Sequence, residues 1–114
     1  MSQSTETSDL IPAVDLPLEN HQYSGTGGVS QENNHLRFSP AFFDQESGDI
    51  QISRLGNGNP APFHSLDGLP ESWITERNIA GRAVSIKSSV VSGFVRLEQF
   101  FTREEAAVFV EEYI

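Results

Sequence analysis

The clearest hydrophobic period in the chain lies at its C-terminal end. Ala106, Phe109, Val110 and Tyr113 recur at i, i+3, i+4 and i+7, the stripe of a helix that buries one face. Thr102-Arg103-Glu104-Glu105 stands in front of it as a capping box. In that motif the Thr102 hydroxyl accepts from the Glu105 backbone N–H, and the Glu105 carboxylate accepts from that of Thr102. The spacing therefore predicts a helix starting at residue 102. Glu104 and Glu111, like Glu105 and Glu112, are seven apart and form acidic ridges beside the stripe. Glu111 and Glu112 sit where the helix dipole is already negative, a placement that a basic partner would relieve.

Upstream, short β-type runs alternate with turn signals. Ala41-Phe42-Phe43 and Ile50-Gln51-Ile52 flank a polar break containing Gly48, the pattern of a longer-loop hairpin. Residues 56–62, with two Gly, two Asn and two Pro, form a loop. Phe63 to Trp73 mixes apolar anchors with Asp67-Gly68 and Pro70, which predicts a turn and one short helical turn entering Trp73. Asn78 to Gly81 then closes a second hairpin, with Val84 and Ile86 expected on the core side. The run from Val90 to Phe101 is β-branched and aromatic; it reads either as one bent strand, with Gly93 at a bulge, or as a third hairpin turning at Leu97-Glu98-Gln99. Because strand neighbours point to opposite faces, one Phe of Phe42-Phe43 and one of Phe100-Phe101 must leave the main core. That outward Phe is expected either to be covered, by a helix, the N-terminal segment folding back or a homodimer, or to stand as an isolated surface aromatic.

Composition divides the chain near Leu36. Residues 1–36 contain five acids, no Lys or Arg and a single aromatic, Tyr23. Such a segment cannot offset the cost of ordering its backbone, roughly 1–2 kcal/mol per residue, and is expected to be a disordered acidic arm. Residues 37–114 are expected to form one small α+β domain: a mostly antiparallel sheet of four to five strands with one C-terminal helix packed on it. The glycines of Gly25-Thr26-Gly27-Gly28 read as flexible positions of the arm, since no helix follows them in a phosphate-binding pattern.

The formal charge of −9, from sixteen acids against seven bases, repels phosphate backbones and argues against nucleic-acid binding by counterion release. The chain has no Cys, so disulfides, thiolate nucleophiles and Cys-ligated metals are excluded. No apolar run is long enough to span a bilayer, and the expected setting is cytoplasmic, without membrane association. There is no GxSxG elbow and no phosphate-cradling loop. His64-x-x-Asp67-x-x-x-Glu71 is the one constellation that would bring an imidazole and two carboxylates together, although Gly68 and Pro70 interrupt any helix that would align them. No metal or cofactor is expected.

The stretch GFVR…FFTREEAA resembles small bacterial proteins, a resemblance that implies neither an activity nor functional residues. The reading that follows is a protein-binding module with no enzymatic activity assigned, whose expected partner is another protein of basic character or a second copy of the chain. Its candidate binding residues are Leu10, Ile11, Val14, Leu16 and Leu18, an apolar patch framed by acids that would dock in extended form, together with Glu104 and Glu111. Two rival readings are a nucleic-acid mimic that blocks a basic nucleic-acid-binding protein, and a small enzyme or ligand-binding domain around His64, Asp67 and Trp73.

Overall fold

The adjacent Phe pairs show how the sheet is built. In the computed structural model, which describes residues 15–113 (for Tyr113 the backbone only), strands β1 (Ser39–Asp44), β2 (Ile50–Ile52), β5 (Val90–Arg96) and β6 (Gln99–Thr102) form an antiparallel sheet in the order β2-β1-β5-β6. β3 (Ile74–Arg77) and β4 (Ala83–Ile86) form a separate two-stranded sheet. Registers such as Phe42↔Ser92 and Phe94↔Phe101 put Phe42, Val90, Ser92, Phe94 and Phe101 on one face. Phe43, Val91, Gly93, Val95 and Phe100 lie on the other. The two members of each Phe pair thus separate as strand geometry requires.

Helix α3 (Arg103–Tyr113) covers the first face. Ala106 and Val110 are buried against Phe38 and Phe94, with Phe101 and Phe109 packed around them. Phe38 meets Phe94, Phe101 and Phe109 edge to face, the arrangement that ring quadrupoles favour. A second cluster on the same side joins Phe42 and Val90 to Leu69, Trp73 and Ile86, and so attaches the small sheet to the large one. Trp73 enters it from a 3₁₀ turn at Glu71–Trp73, the short helical turn expected there. The capping box is present with both bonds: Glu105 N–H to Thr102 Oγ1 at 3.0 Å and Thr102 N–H to Glu105 Oε1 at 2.9 Å.

The hairpins follow their turn chemistry, with two differences. Asn78 Oδ1 accepts from the backbone of Ala80 and Arg82, and Gly81 takes φ 85°. Val84, however, is exposed instead of facing the core. The register slips between Ile74↔Ile86, Glu76↔Ser85 and Arg77↔Ala83, and Val84 is the unpaired residue of the second slip, so strict alternation fails there. Of the two readings of residues 90–101, the third hairpin is the one observed. Leu97 and Glu98 both adopt positive φ, 51° and 69°, as a two-residue turn matched to the twist of the strands requires. Neither is the Asn or Gly that announces such a turn.

The larger difference lies upstream. Within the stretch expected to be disordered, residues 15–36 are folded: α1 (Leu16–Gln22), α2 (Ser30–Asn33) and a 3₁₀ turn at Asn34–Leu36. Leu16 packs on the Trp73 cluster, and Glu19 and Asn33 are buried. This segment borrows its stability from the sheet domain, so the scarcity of large apolar residues within it does not decide its state. Gly27 and Gly28 are close-approach positions, not flexible ones. A Cβ at Gly27 would lie 2.4 Å from Val110 Cγ2 of α3, and one at Gly28 would lie 2.7 Å from the Tyr23 ring.

The capping box supplies a direct test of how α3 begins. Thr102→Ala removes the acceptor for the Glu105 N–H and is expected to lower unfolding free energy by about 1 kcal/mol, read from urea melts of the full chain. An unchanged midpoint would show that the cap contributes nothing.

Candidate functional site

Between the two apolar clusters the first face of the sheet carries a polar centre organised by Arg103. The chain brings this side chain there because the capping box starts α3 immediately after β6, so the first helical residue points back over β5. Arg103 is 3% exposed, and each end of its guanidinium is engaged. Nε donates to Ser92 Oγ at 2.9 Å and lies 3.2 Å from Glu19 Oε1. Nη1 donates to Asn20 Oδ1 and to the Gly28 carbonyl, each at 3.0 Å. Nη2 donates to His64 Nδ1 at 3.1 Å, and the Phe94 ring lies below the charge.

His64 is positioned from the opposite end of the sheet. Ser53, just after β2, accepts from Ser65 N–H and donates to the Phe63 carbonyl, which pins the loop and presents the imidazole to β5. Its Nε2 bonds the Gly93 carbonyl at 2.7 Å, and the ring packs against Phe42 and Phe94. A carbonyl on Nε2 and a guanidinium on Nδ1 fix the neutral Nε2–H tautomer, in which Nδ1 accepts. Burial, with the Arg103 charge adding to it, lowers the His64 pKa from 6.5 to about 3.

Glu19 completes the centre. Ser92 Oγ–H donates to its carboxylate, and burial pushes its pKa upward against the opposing pull of Ser92 and Arg103. Burial acts on Arg103 in the opposite direction and lowers its pKa. A guanidinium nevertheless keeps its proton, and the pair is a desolvated ion pair. Such a pair is costly to form and more costly to break on one side only.

No family model matches the chain, and comparison with curated proteins and with solved structures returns no match.

The His64, Asp67 and Glu71 constellation is not assembled. His64 faces Arg103, Asp67 Oδ2 pairs with Arg82 Nη2 at 2.7 Å, and Glu71 Oε1 pairs with Arg77 Nη2 at 2.8 Å. Gly68 and Pro70 break the segment, and the β3–β4 hairpin supplies a cation to each carboxylate. No group of three His, Asp or Glu able to hold a metal occurs among the described residues. Trp73 is a core residue, 5% exposed, and not a ligand platform. No helix among the described residues is long and apolar enough to cross a membrane.

The other predicted binding residues scatter. Leu10, Ile11 and Val14 lie outside the described residues. Leu16 and Leu18 are in α1, a helix instead of the extended segment expected, with Leu16 turned inward and Leu18 53% exposed. Glu104 and Glu111 are exposed on α3. Sequence reasoning missed Glu19, Ser92 and Arg103. It also missed Asp44, a fully buried carboxylate that accepts from Lys87 Nζ, Ser89 Oγ, Ser47 Oγ and the Glu46 N–H. Those bonds, led by Lys87, hold its pKa well below the carboxylate range, and they tie the β1–β2 turn to the β4–β5 turn.

The depressed His64 pKa has a thermodynamic consequence. Between pH 6.5 and about 3 the unfolded chain takes up a proton that the folded site refuses. The His64 contribution to stability is complete above 6.5 and shrinks as the pH falls towards 3. The raised Glu19 carboxyl acts with the opposite sign, so a comparison with His64→Gln isolates the imidazole. Urea melts from pH 7.5 to 4.5 should show wild-type stability falling relative to the variant; parallel curves would contradict the buried neutral assignment.

Proposed function

We propose that the chain is a protein-binding module whose contact surface is the second face of the four-stranded sheet. The observation that supports this most is the half-buried aromatic and aliphatic row on that face, which ends in the exposed Ile50. The Phe43 and Phe100 rings stack across β5 with centroids 5.3 Å apart, and Phe100 lies over Gly93, where a Cβ would meet its ring at 2.3 Å. Ile52 and Val95 are partly exposed on the same face, and Ile50 is 42% exposed. Neither buried cluster includes a residue of this face. Two stacked rings already held against each other offer their remaining apolar area with little rotamer entropy left to lose on contact.

The surrounding charge sets the character of the partner. With a formal charge of −9, the chain would steer towards a partner whose rim is basic, while the apolar row supplies the contact energy. Glu19, Asp44, Asp67 and Glu71 are neutralised by Arg or Lys of the same chain and are unavailable as phosphate surrogates, which weakens the nucleic-acid-mimic reading. A cytoplasmic setting belongs to the same proposal.

Affinity capture from native cell extract with the full chain tests it. A discrete partner should be retained at low and at high salt by wild type, and reduced at least tenfold by Ile50→Asp, whose thermal melt should stay within a few degrees because the site is an exposed edge position. Equal retention by the variant, or no retained partner, would overturn this assignment.

A further inference from the structure

We propose that the seat of α1 on the sheet domain is a binding site for an acidic amphipathic helix of a partner protein that carries Leu and Glu at i and i+3, and that α1 is its resident, displaceable occupant. This inference concerns the first face and does not rest on the open face of the sheet.

The residues of α1 divide sharply. Leu16 fits against the Trp73 cluster, and Glu19, one turn on, reaches Ser92 and Arg103. Asn20 adds one bond to Arg103. Pro17, Leu18, His21 and Gln22 are exposed. What the seat reads is therefore an apolar side chain and a carboxylate on one helical face. A helix of seven residues with no side-chain N-cap bond has little stability of its own, so its order is drawn from this seat.

Most of the seat is built outside α1. Of the groups around Arg103, Ser92 belongs to β5, the Gly28 carbonyl to the segment packed on α3, and His64 to the loop pinned by Ser53. These three would hold the guanidinium in place, and Ser92 Oγ–H would remain as the second donor, if Glu19 withdrew. Neutral His64 accepts from Arg103 without cancelling its charge, which leaves that charge for a carboxylate.

The chain also has a pivot at the right place. The turn from Tyr23 to Thr26 contains Gly25 at φ 81°, with no atom within 4 Å of where a Cβ would be. Immediately after it, Gly27 and Asn33 are fastened together through Asn33 Nδ2 and the Gly27 carbonyl at 2.7 Å, and Gly27 is pressed on Val110. α1 can leave while residues 27–36 stay. Recesses of about 550 Å³, lined by Asn20 and Ser24, and about 320 Å³, lined by Glu19, Tyr23, Phe43 and Phe100, adjoin α1.

The probe is a fluorescein-labelled peptide of residues 15–23, titrated by anisotropy against the full chain and its Leu16→Ala/Glu19→Ala variant. The variant, with its seat vacated, should bind at least tenfold more tightly than wild type, and a peptide with Glu19→Gln should lose at least tenfold. Equal binding by the two chains, or indifference to Glu19→Gln, overturns the proposal. A second reading uses wild type alone: saturating peptide should accelerate amide exchange of residues 16–22 at least fivefold and leave residues 27–36 unchanged. Failure of that acceleration overturns the proposal even if the variant does not fold.

Discussion

The structure depends on one desolvated guanidinium. Arg103 occupies the first position of α3, where the positive end of the helix dipole opposes a cation, and it is buried where a bare charge would be prohibitive. Both penalties are met by partners drawn from four separate parts of the chain: Glu19 and Asn20 of α1, Gly28, Ser92 of β5, and His64 of the long loop. Direct bonds between Glu19 and Ser92 and between His64 and the Gly93 carbonyl reinforce the same junction. Arg103 acts as the polar fastening between two apolar clusters that would each be small alone.

Buried polar centres of this kind are weak stabilisers and strong specifiers. Apolar packing on the first face tolerates sliding, whereas Ser92 must present its hydroxyl between carboxylate and guanidinium, and His64 must keep its neutral tautomer. Asp44 plays the corresponding part at the other end of β1, joining two turns through Lys87 and Ser89. The two faces of the sheet differ accordingly. The first face is closed by a precise and partly charged arrangement, and the second carries the half-buried, stacked Phe43 and Phe100.

What could be read from the residues in order was what is local. The capping box, the Asn78–Gly81 turn and the separation of the Phe pairs all depend on neighbours a few positions apart, and each is found in the structure. The Glu19–Ser92 and Asp44–Lys87 contacts join residues 73 and 43 positions apart, and no spacing rule encodes them. Some signals were nonetheless present. An arginine directly after a helix cap is electrostatically misplaced unless it serves something else. The adjacent glycines Gly27 and Gly28 suit close packing as well as they suit a tether. For residues 16–36 hydrophobic content alone is the wrong measure, because they fold on a surface provided by residues far downstream.

A double-mutant cycle between Glu19→Gln and Arg103→Gln, read from urea melts of the full chain, measures the fastening itself. The account predicts that the two changes are coupled by more than about 1 kcal/mol, since each strands the other's charge; additivity to within about 0.5 kcal/mol would contradict it.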